Sequence, residues 1–534
     1  MKKTFFLLGI LLLLGLFLRT FRLWDNIFFG YDQARDMQRI FEIIKSHDIK
    51  IVGPETDIPG IFNGPFFYYL MAPIYLISNF NSNVSALFLV LINLTGVLII
   101  YNLAKSLFNE RVALISSLIW AISYEQANFA KFISNASLMP LFSLIFFAGL
   151  SFCFVKKQNL GLIISAIGFA LSIQVNFYLV YLCLFYPILY FIYFPKINYK
   201  TIFSSLLVFI ILTSSFVISE LKFHFLATKS LFKYFQGQNI PSYIGEDLLF
   251  YFQSLSKVLY NSIFSFSYFV IFLVFIVFLV YLFKKEGNKP NIKFLLIWLF
   301  STLPLFAFKS NVVGGPVIQT SIFGAIYIFF AVIIDLILSR KKYVLIGYLL
   351  IFIIIISNIK LYTNEDFKNN KILAYQNMFY GDQKKLIEYT YKSSNNKKFS
   401  ICAVSNPLFI NVLWSVLYKT YGEDKYGFSP VWSGQKQYLI PSLIDYDLNH
   451  EQIRFMIIEP TLGIIDNAKK ATIYLEDQVT IIEEVKKFGE ITVQKRRFTN
   501  NKNLLKDSQN LSASEIETVK ILITDPRYTC SIEY

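Results

Sequence analysis

Charge is what this chain lacks most. Charged residues fill 16% of its 534 positions, against about 25% in soluble globular proteins. With 55% hydrophobic residues, 18% aromatics and a mean hydropathy of +0.51, that shortfall excludes an ordinary soluble domain. Cysteine is scarce too. Four residues are too few for a disulfide framework. Cys153 and Cys183 fall in apolar spans as packing residues, while Cys402 and Cys530 fall in a polar C-terminal region, where pairing requires an oxidising side of the membrane. No HExxH, GxSxG or Walker pattern occurs. Gly314-Gly315-Pro316 has no strand-to-helix context followed by Lys and Ser/Thr, so it is not a phosphate loop. Soluble hydrolase and ATPase chemistry therefore have no footing.

What is present is a polytopic α-helical membrane protein. Its net charge of +15 does not imply a nucleic acid partner, because the lysines cluster in short loops between apolar runs, the positive-inside pattern. Met1-Lys2-Lys3 and the apolar stretch Thr4 to Leu18 resemble a signal peptide, but Arg19-Thr20-Phe21-Arg22 follows without a small-residue cleavage site. The segment reads as an uncleaved anchor with a cytoplasmic amino terminus. Further spans are expected near 84–106, 111–127, 136–155, 159–174, 176–194, 201–219, 262–283, 293–309, 316–338 and 343–359, giving about eleven in all. Acids within them are rare, with Asp335 close to an inner end.

Residues 66–80 test this topology. If they spanned, every later basic loop would move outside. They hold too few apolar residues for the roughly 20 a span needs, and Pro73 interrupts them. A re-entrant or interfacial helix is expected there, inside a first outer loop running from about 21 to 83. The expected organisation is a multi-spanning domain over 1–360 and a small extracytoplasmic α/β domain over 361–534. In the latter, Phe399–Val404, Phe455–Ile458 and Ile491–Arg497 read as strands. Leu408–Tyr421, entered through Asn406-Pro407 and stopped near Gly422, and Lys470–Glu484 read as helices.

The chemistry is expected in the first outer loop. Ala34, Met37, Ile40, Phe41 and Ile44 form one apolar stripe, with Arg35, Asp36, Arg39 and Glu42 opposite, so 33–45 reads as an amphipathic interfacial helix. Asp32 is placed at its N-cap, and Asp36 one turn on. Two readings fit: a cap plus a carboxylate paired with Arg35 or Arg39, or carboxylates held at the mouth of a cavity. Downstream, Asn63-Gly64-Pro65 forms a turn before the aromatic segment Phe66-Phe67-Tyr68-Tyr69.

A short anchor, an acidic pair opening an amphipathic helix, a Gly-Pro-aromatic re-entrant segment and Lys131-Phe132-Ile133-Ser134-Asn135-Ala136-Ser137-Leu138-Met139-Pro140 follow in order. Together these resemble the C-type (GT-C) membrane glycosyltransferases, especially the family 39 group of protein O-mannosyltransferases and lipid A aminoarabinose transferases. The layout of about 1–360 carries the resemblance, with specific motifs confined to about 20–140 and 219–224. It implies a polyprenyl-phosphate sugar donor, membrane lipids and a cell-envelope acceptor as partners, and an inner-membrane location. No cofactor is indicated, and a divalent metal at Glu220 and His224 stays open without a convincing ligand set. The family's first loop carries an Asp-Glu pair whose Asp serves the acceptor. Asp32 matches that Asp, but Gln33 stands in place of Glu, which counts against a metal held by two adjacent carboxylates and leaves Asp36 as the replacement acid.

The chemistry fits. A phosphate leaving group needs cations rather than a general acid, while the attacking hydroxyl needs one carboxylate base. By analogy with inverting glycosidases, attack opposite the phosphate inverts the anomeric centre. Asp32 and Asp36 are the candidate catalytic groups. Arg35, Asn63, Lys131, Asn135, Glu220, Lys222, His224 and Lys309 are candidate donor or acceptor contacts. Lys131 and Lys309 equally suit snorkelling to the interface. Two alternatives stay open: a secondary transporter or lipid flippase, and a non-catalytic membrane assembly protein.

Overall fold

The computed structural model describes residues 2–236, 244–307, 319–363, 377–408, 410–433, 442–446, 453–460, 466–499 and 517. Contacts divide the chain into two compact units. One comprises Met1–Phe21, Ile49–Leu70 and Ala86–Phe367, and the other Arg22–Asp48, Met71–Ser85 and Lys368–Tyr534.

The first unit is helical. Among the described residues, six helices are long and apolar enough to cross a membrane: Lys3–Thr20, Ser82–Leu107, Asn135–Val155, Tyr268–Glu286, Gln319–Leu338 and Lys341–Thr363. Tyr199–Leu212 and Ser214–Lys222 reach that length and apolarity only together, and the pair is bent by 51°. Other expected spans appear as shorter or broken helices, such as Leu160–Val175, Phe177–Tyr193 and Pro290–Leu305. The span expected at 111–127 stops at Ile122. Ser123 leaves the helical conformation, and its hydroxyl caps a new helix, Tyr124–Lys131, by accepting from the Gln126 N–H at 3.3 Å. The segment Phe66–Ile77 is a 12-residue helix containing Pro73, about 18 Å long at 1.5 Å per residue and short of a roughly 30 Å hydrocarbon core.

The second unit contains a five-stranded sheet of β1 (Ser400–Val404), β2 (Val431–Trp432), β3 (Ile453–Ile458), β4 (Thr480–Phe488) and β5 (Ile491–Phe498), in the order β2-β1-β3-β5-β4. β1 runs parallel to β2 and β3, while β5 pairs antiparallel with β3 and β4. β1 is buried along its whole length, as its apolar run requires. Cys402, Val404, Met456 and Ile458 form a core cluster joined by Leu408 and Ile473; such fully buried aliphatic side chains contribute roughly 1.5–3 kcal/mol each. The helix expected over 470–484 is instead Asp466–Asp477, and the chain then enters β4. The apolar, β-branched Thr480-Ile481-Ile482 belongs to a hairpin with β5, turned at Gly489 with φ +59°. The helix beginning at Val412 continues through a π turn to Tyr426 and stops at left-handed Gly427, five residues beyond the expected Gly422.

Candidate active site

In the second unit, the segment before the acidic helix is zipped to residues far along the chain. Phe28 and Phe379 form an antiparallel bridge; the Phe29 N–H donates to the Met378 carbonyl at 2.9 Å, and the Tyr380 N–H to Ile27 at 2.9 Å. The Gln383 amide donates to the Phe29 carbonyl at 2.6 Å. The acidic helix then runs Tyr31–Ser46, with Gly30 as its N-cap. Asp32 is thus the second helical residue, not the cap expected from sequence. Capping is done by Gln33, whose Oε1 accepts from the Gly30 N–H at 3.0 Å, the reach-back half of a capping box. A glutamine does this while buried at 1% exposure without bringing a charge inside, a local reason for Gln33.

Ala34, Met37 and Ile40 are buried as the stripe requires. Asp36, expected on the polar side, is buried as well. One guanidinium serves both acids: Arg35 Nη1 lies 2.9 Å from Asp32 Oδ1, and Nη2 lies 2.9 Å from Asp36 Oδ1. The Asp32 side chain is 41% exposed and that of Asp36 2%. Of the two, Asp32 is accessible to solvent, and Asp36 is a buried counter-charge. Arg35 also lies over the Tyr31 ring, 5.7 Å from its centroid. Burial raises the Tyr31 hydroxyl pKa, opposed by the Arg35 charge.

In the first unit, a buried polar network surrounds the break at Ser123. Arg19, 0% exposed, donates to the Ala121 carbonyl at 2.6 Å, Trp120 at 2.9 Å, Gly15 at 3.2 Å and the Asn93 Oδ1 at 3.0 Å. It caps the C-terminal carbonyls of Glu110–Ile122, where a cation also meets the negative end of the helix dipole. Asn93 passes the chain to Gln126 at 3.0 Å, and Tyr327 joins Gln126 and Ser123. The Tyr362 hydroxyl donates to the Ser123 carbonyl at 3.1 Å. Glu125 is fully buried and accepts from Asn261 at 2.6 Å, while its Oε1 has no hydrogen-bond partner among the described residues. Lys131, ending the same short helix, is 5% exposed and sits 5.9 Å from the Tyr362 ring centroid. Burial, then the Arg19 charge, lowers its pKa to about 7.

The other expected contacts that the structure describes lie in the first unit. Asn63 Oδ1 accepts from the Phe177 N–H at 2.8 Å, and Asn135 Nδ2 donates to the Val175 carbonyl at 2.6 Å. Both asparagines therefore clamp the turn at 175–177. Gly64 lies against the same turn, where a Cβ would meet Gln174 Oε1 at 1.7 Å. Glu220 accepts from the Ala227 N–H at 2.9 Å, the Thr228 N–H at 3.2 Å and the Thr228 hydroxyl, capping the helix Leu226–Gln236. Lys222 lies against the Phe223 ring, and His224 takes a left-handed φ of 53° in the connecting turn. A mainly apolar cavity of about 140 Å³ lies here, lined by Val52, Phe62, Phe177, Phe216 and Leu231 with Glu220 at its wall. Lys309, the Gly314-Gly315-Pro316 turn and Cys530 fall outside the described residues. Among those described, no group of three His, Cys, Asp or Glu side chains comes together.

Sequence reasoning missed three features. Arg19 was read only as a flanking charge. Glu125 was counted inside an apolar span; an ionisable residue within such a run is itself the signal that could have found it. The zip at 27–30 joins residues about 350 apart and has no local signal.

Residues 62–219 match the family model of dolichyl-phosphate-mannose-protein mannosyltransferases. No curated protein matches the sequence. Among solved structures, ArnT from Cupriavidus metallidurans bound to undecaprenyl phosphate superposes with a TM-score of 0.57 at 10% identity, covering 95% of this chain and 99% of that one. Its apo state gives 0.54 over the same shares. The apo oligosaccharyltransferase of Archaeoglobus fulgidus gives 0.45 at 14% identity, covering 80% of this chain and 64% of that one.

Proposed function

We propose that this chain, a multi-pass membrane protein of the C-type glycosyltransferase fold, transfers a sugar from a polyprenyl-phosphate donor to an acceptor hydroxyl. The observation that carries this reading is the Asp32–Arg35–Asp36 cluster heading an anchored helix in a chain of that fold. Asp32 is accessible and takes the acceptor's proton. The hydroxyl oxygen bonds to the anomeric carbon, whose bond to the phosphate oxygen breaks, and the lipid phosphate leaves with the electron pair. Attack from the opposite face inverts the centre. Arg35 fixes Asp32, and Asp36 balances Arg35. Lys131 is assigned to the donor phosphate, where a buried cation stabilises developing negative charge more than it does in water. The apolar cavity near Phe62 and Phe216 suits part of an isoprenoid chain.

The lysine distribution supports a cytoplasmic amino terminus and an extracytoplasmic face for the acidic helix and residues 361–534, in an inner membrane. ArnT from Cupriavidus metallidurans was solved with undecaprenyl phosphate, which makes that lipid the first carrier to test. The protein in nanodiscs should transfer label from a polyprenyl-phosphate sugar. Asp32→Asn should cut the rate by about 10²–10⁴-fold, the usual worth of a general base, with unchanged expression. Full transfer by that variant together with loss in Asp36→Asn would move the base to Asp36. A wild type inert with every polyprenyl-phosphate sugar would refute the reading.

A further inference from the structure

A second buried carboxylate in the unit that holds the acidic helix ties two segments together. Glu459 follows β3 at the carboxyl end of the parallel strands and is 3% exposed. Its Oε2 accepts from the Asn406 N–H at 2.8 Å, in the turn after β1. Its Oε1 accepts from the Trp414 indole N–H at 3.0 Å. Trp414 lies on the helix Val412–Leu417, every residue of which is buried, and that helix packs against the acidic helix Tyr31–Ser46. Both groups facing the carboxylate are neutral donors. Among the described residues, no lysine, arginine or histidine pairs with it, and Arg454 on its own strand is engaged by Glu476 at 2.8 Å.

We propose that Glu459 is a positioning residue for the acidic helix: its carboxylate fixes the Trp414 helix, thereby setting Asp32 and Asp36, and its protonation state makes that setting respond to pH. The inference rests on the glycosyltransferase reading for its effect on turnover, but not for its effect on Trp414. When ionised, the carboxylate offers acceptors to both donors. When protonated, one oxygen becomes a donor and confronts an N–H, so one tie is lost. Burial supports the switch by raising the Glu459 pKa to about 7. The ionised, doubly tied form therefore prevails above pH 7 and the singly tied form below it.

The test uses the full chain in nanodiscs with 5-fluorotryptophan, the Trp414 resonance being assigned by its loss in Trp414→Phe. In the wild type this resonance should titrate with a midpoint near pH 7 and in Glu459→Gln it should not. The kcat for sugar transfer, read at saturating donor so that the loss of the Lys131 charge does not enter through binding, should rise about 2–10-fold from pH 6 to 8, the worth of one hydrogen bond. Glu459→Gln should lose that rise and stay at the low value. Trp414→Phe, which keeps the carboxylate but removes one tie, should lower kcat at pH 8 in the same range and serves if the glutamine variant does not fold. A Trp414 resonance that stays fixed from pH 5.5 to 8.5 overturns the switch. A titrating resonance with an unaltered kcat profile in Glu459→Gln overturns the coupling to the acidic helix. A wild type without transfer activity refutes the enzymatic reading instead, and the resonance still decides the Glu459–Trp414 tie.

Discussion

Replacing Arg35 separates the two carboxylates it holds. In Arg35→Met the guanidinium is lost from both Asp32 and Asp36, 2.9 Å away in each case. The two losses are unequal. The Asp32 side chain is 41% exposed, and a pair of that kind contributes only about 0.2–1 kcal/mol. Asp36 is 2% exposed, and removing one partner of a buried pair costs about 3–5 kcal/mol because the remaining charge stays inside. Nearly all the damage should therefore come through Asp36. For a unit of roughly 200 residues, each kcal/mol shifts the melting midpoint by about 2–4 °C, so the apparent midpoint in nanodiscs should fall by about 6–20 °C. Adding Asp36→Asn to Arg35→Met should restore most of the loss. Adding Asp32→Asn should restore less than about 1 kcal/mol. Intrinsic fluorescence on heating reads all four proteins in one experiment. Equal rescue by both asparagines, or none from Asp36→Asn, would refute the assignment of Asp36 as the buried counter-charge.

Two further outcomes concern Lys131 and Gln33. Lys131 carries its charge below its pKa of about 7 and loses it above, while the donor's phosphodiester keeps its charge; donor affinity should weaken by about tenfold or more from pH 6 to 8.5, as for losing a charge-assisted hydrogen bond. Lys131→Met should flatten that profile and Lys131→Arg should hold the tight value at pH 8.5, both measured by equilibrium binding of a non-transferable donor analogue. Gln33→Glu, which recreates the Asp-Glu pair, should lower the thermal midpoint by burying a charge and leave the transfer rate no higher; a faster and equally stable variant would show that the Gln33 cap is not what that position requires.

The legible parts of this protein are those with local signals. Ala34, Met37 and Ile40 announced the acidic helix by their spacing, and the apolar run at 400–404 announced its strand. Pro73 and a short apolar run marked the helix at 66–77. Asp36 was misplaced because 3.6-residue periodicity sorts side chains by polarity, whereas burial of a carboxylate depends on the guanidinium one residue away. Residues 478–484 were misread as helix because their partner, β5, acts across the hairpin. Arg19 and Glu125 were passed over because an apolar average conceals a single charge. Asn63, Asn135 and Glu220 were legible as unusual polar residues, but the turn and the helix end that their hydrogen bonds hold carry no spacing signal.

The pairing of residues 27–30 with 378–383 also sets an order of assembly. The amino-terminal partner of the zip leaves the ribosome first, and about 350 residues must follow before its mate exists. At ~5–20 residues per second that interval is roughly 20–70 s. Throughout it, the strand that presents Gly30 lacks the carbonyl and amide partners that the finished protein supplies at Met378, Tyr380 and Gln383. The acidic helix is therefore seated late, after the membrane helices have been synthesised. A nascent chain does not present a finished acidic site to the lipids around it, and maturation of the site is tied to arrival of the last third of the polypeptide.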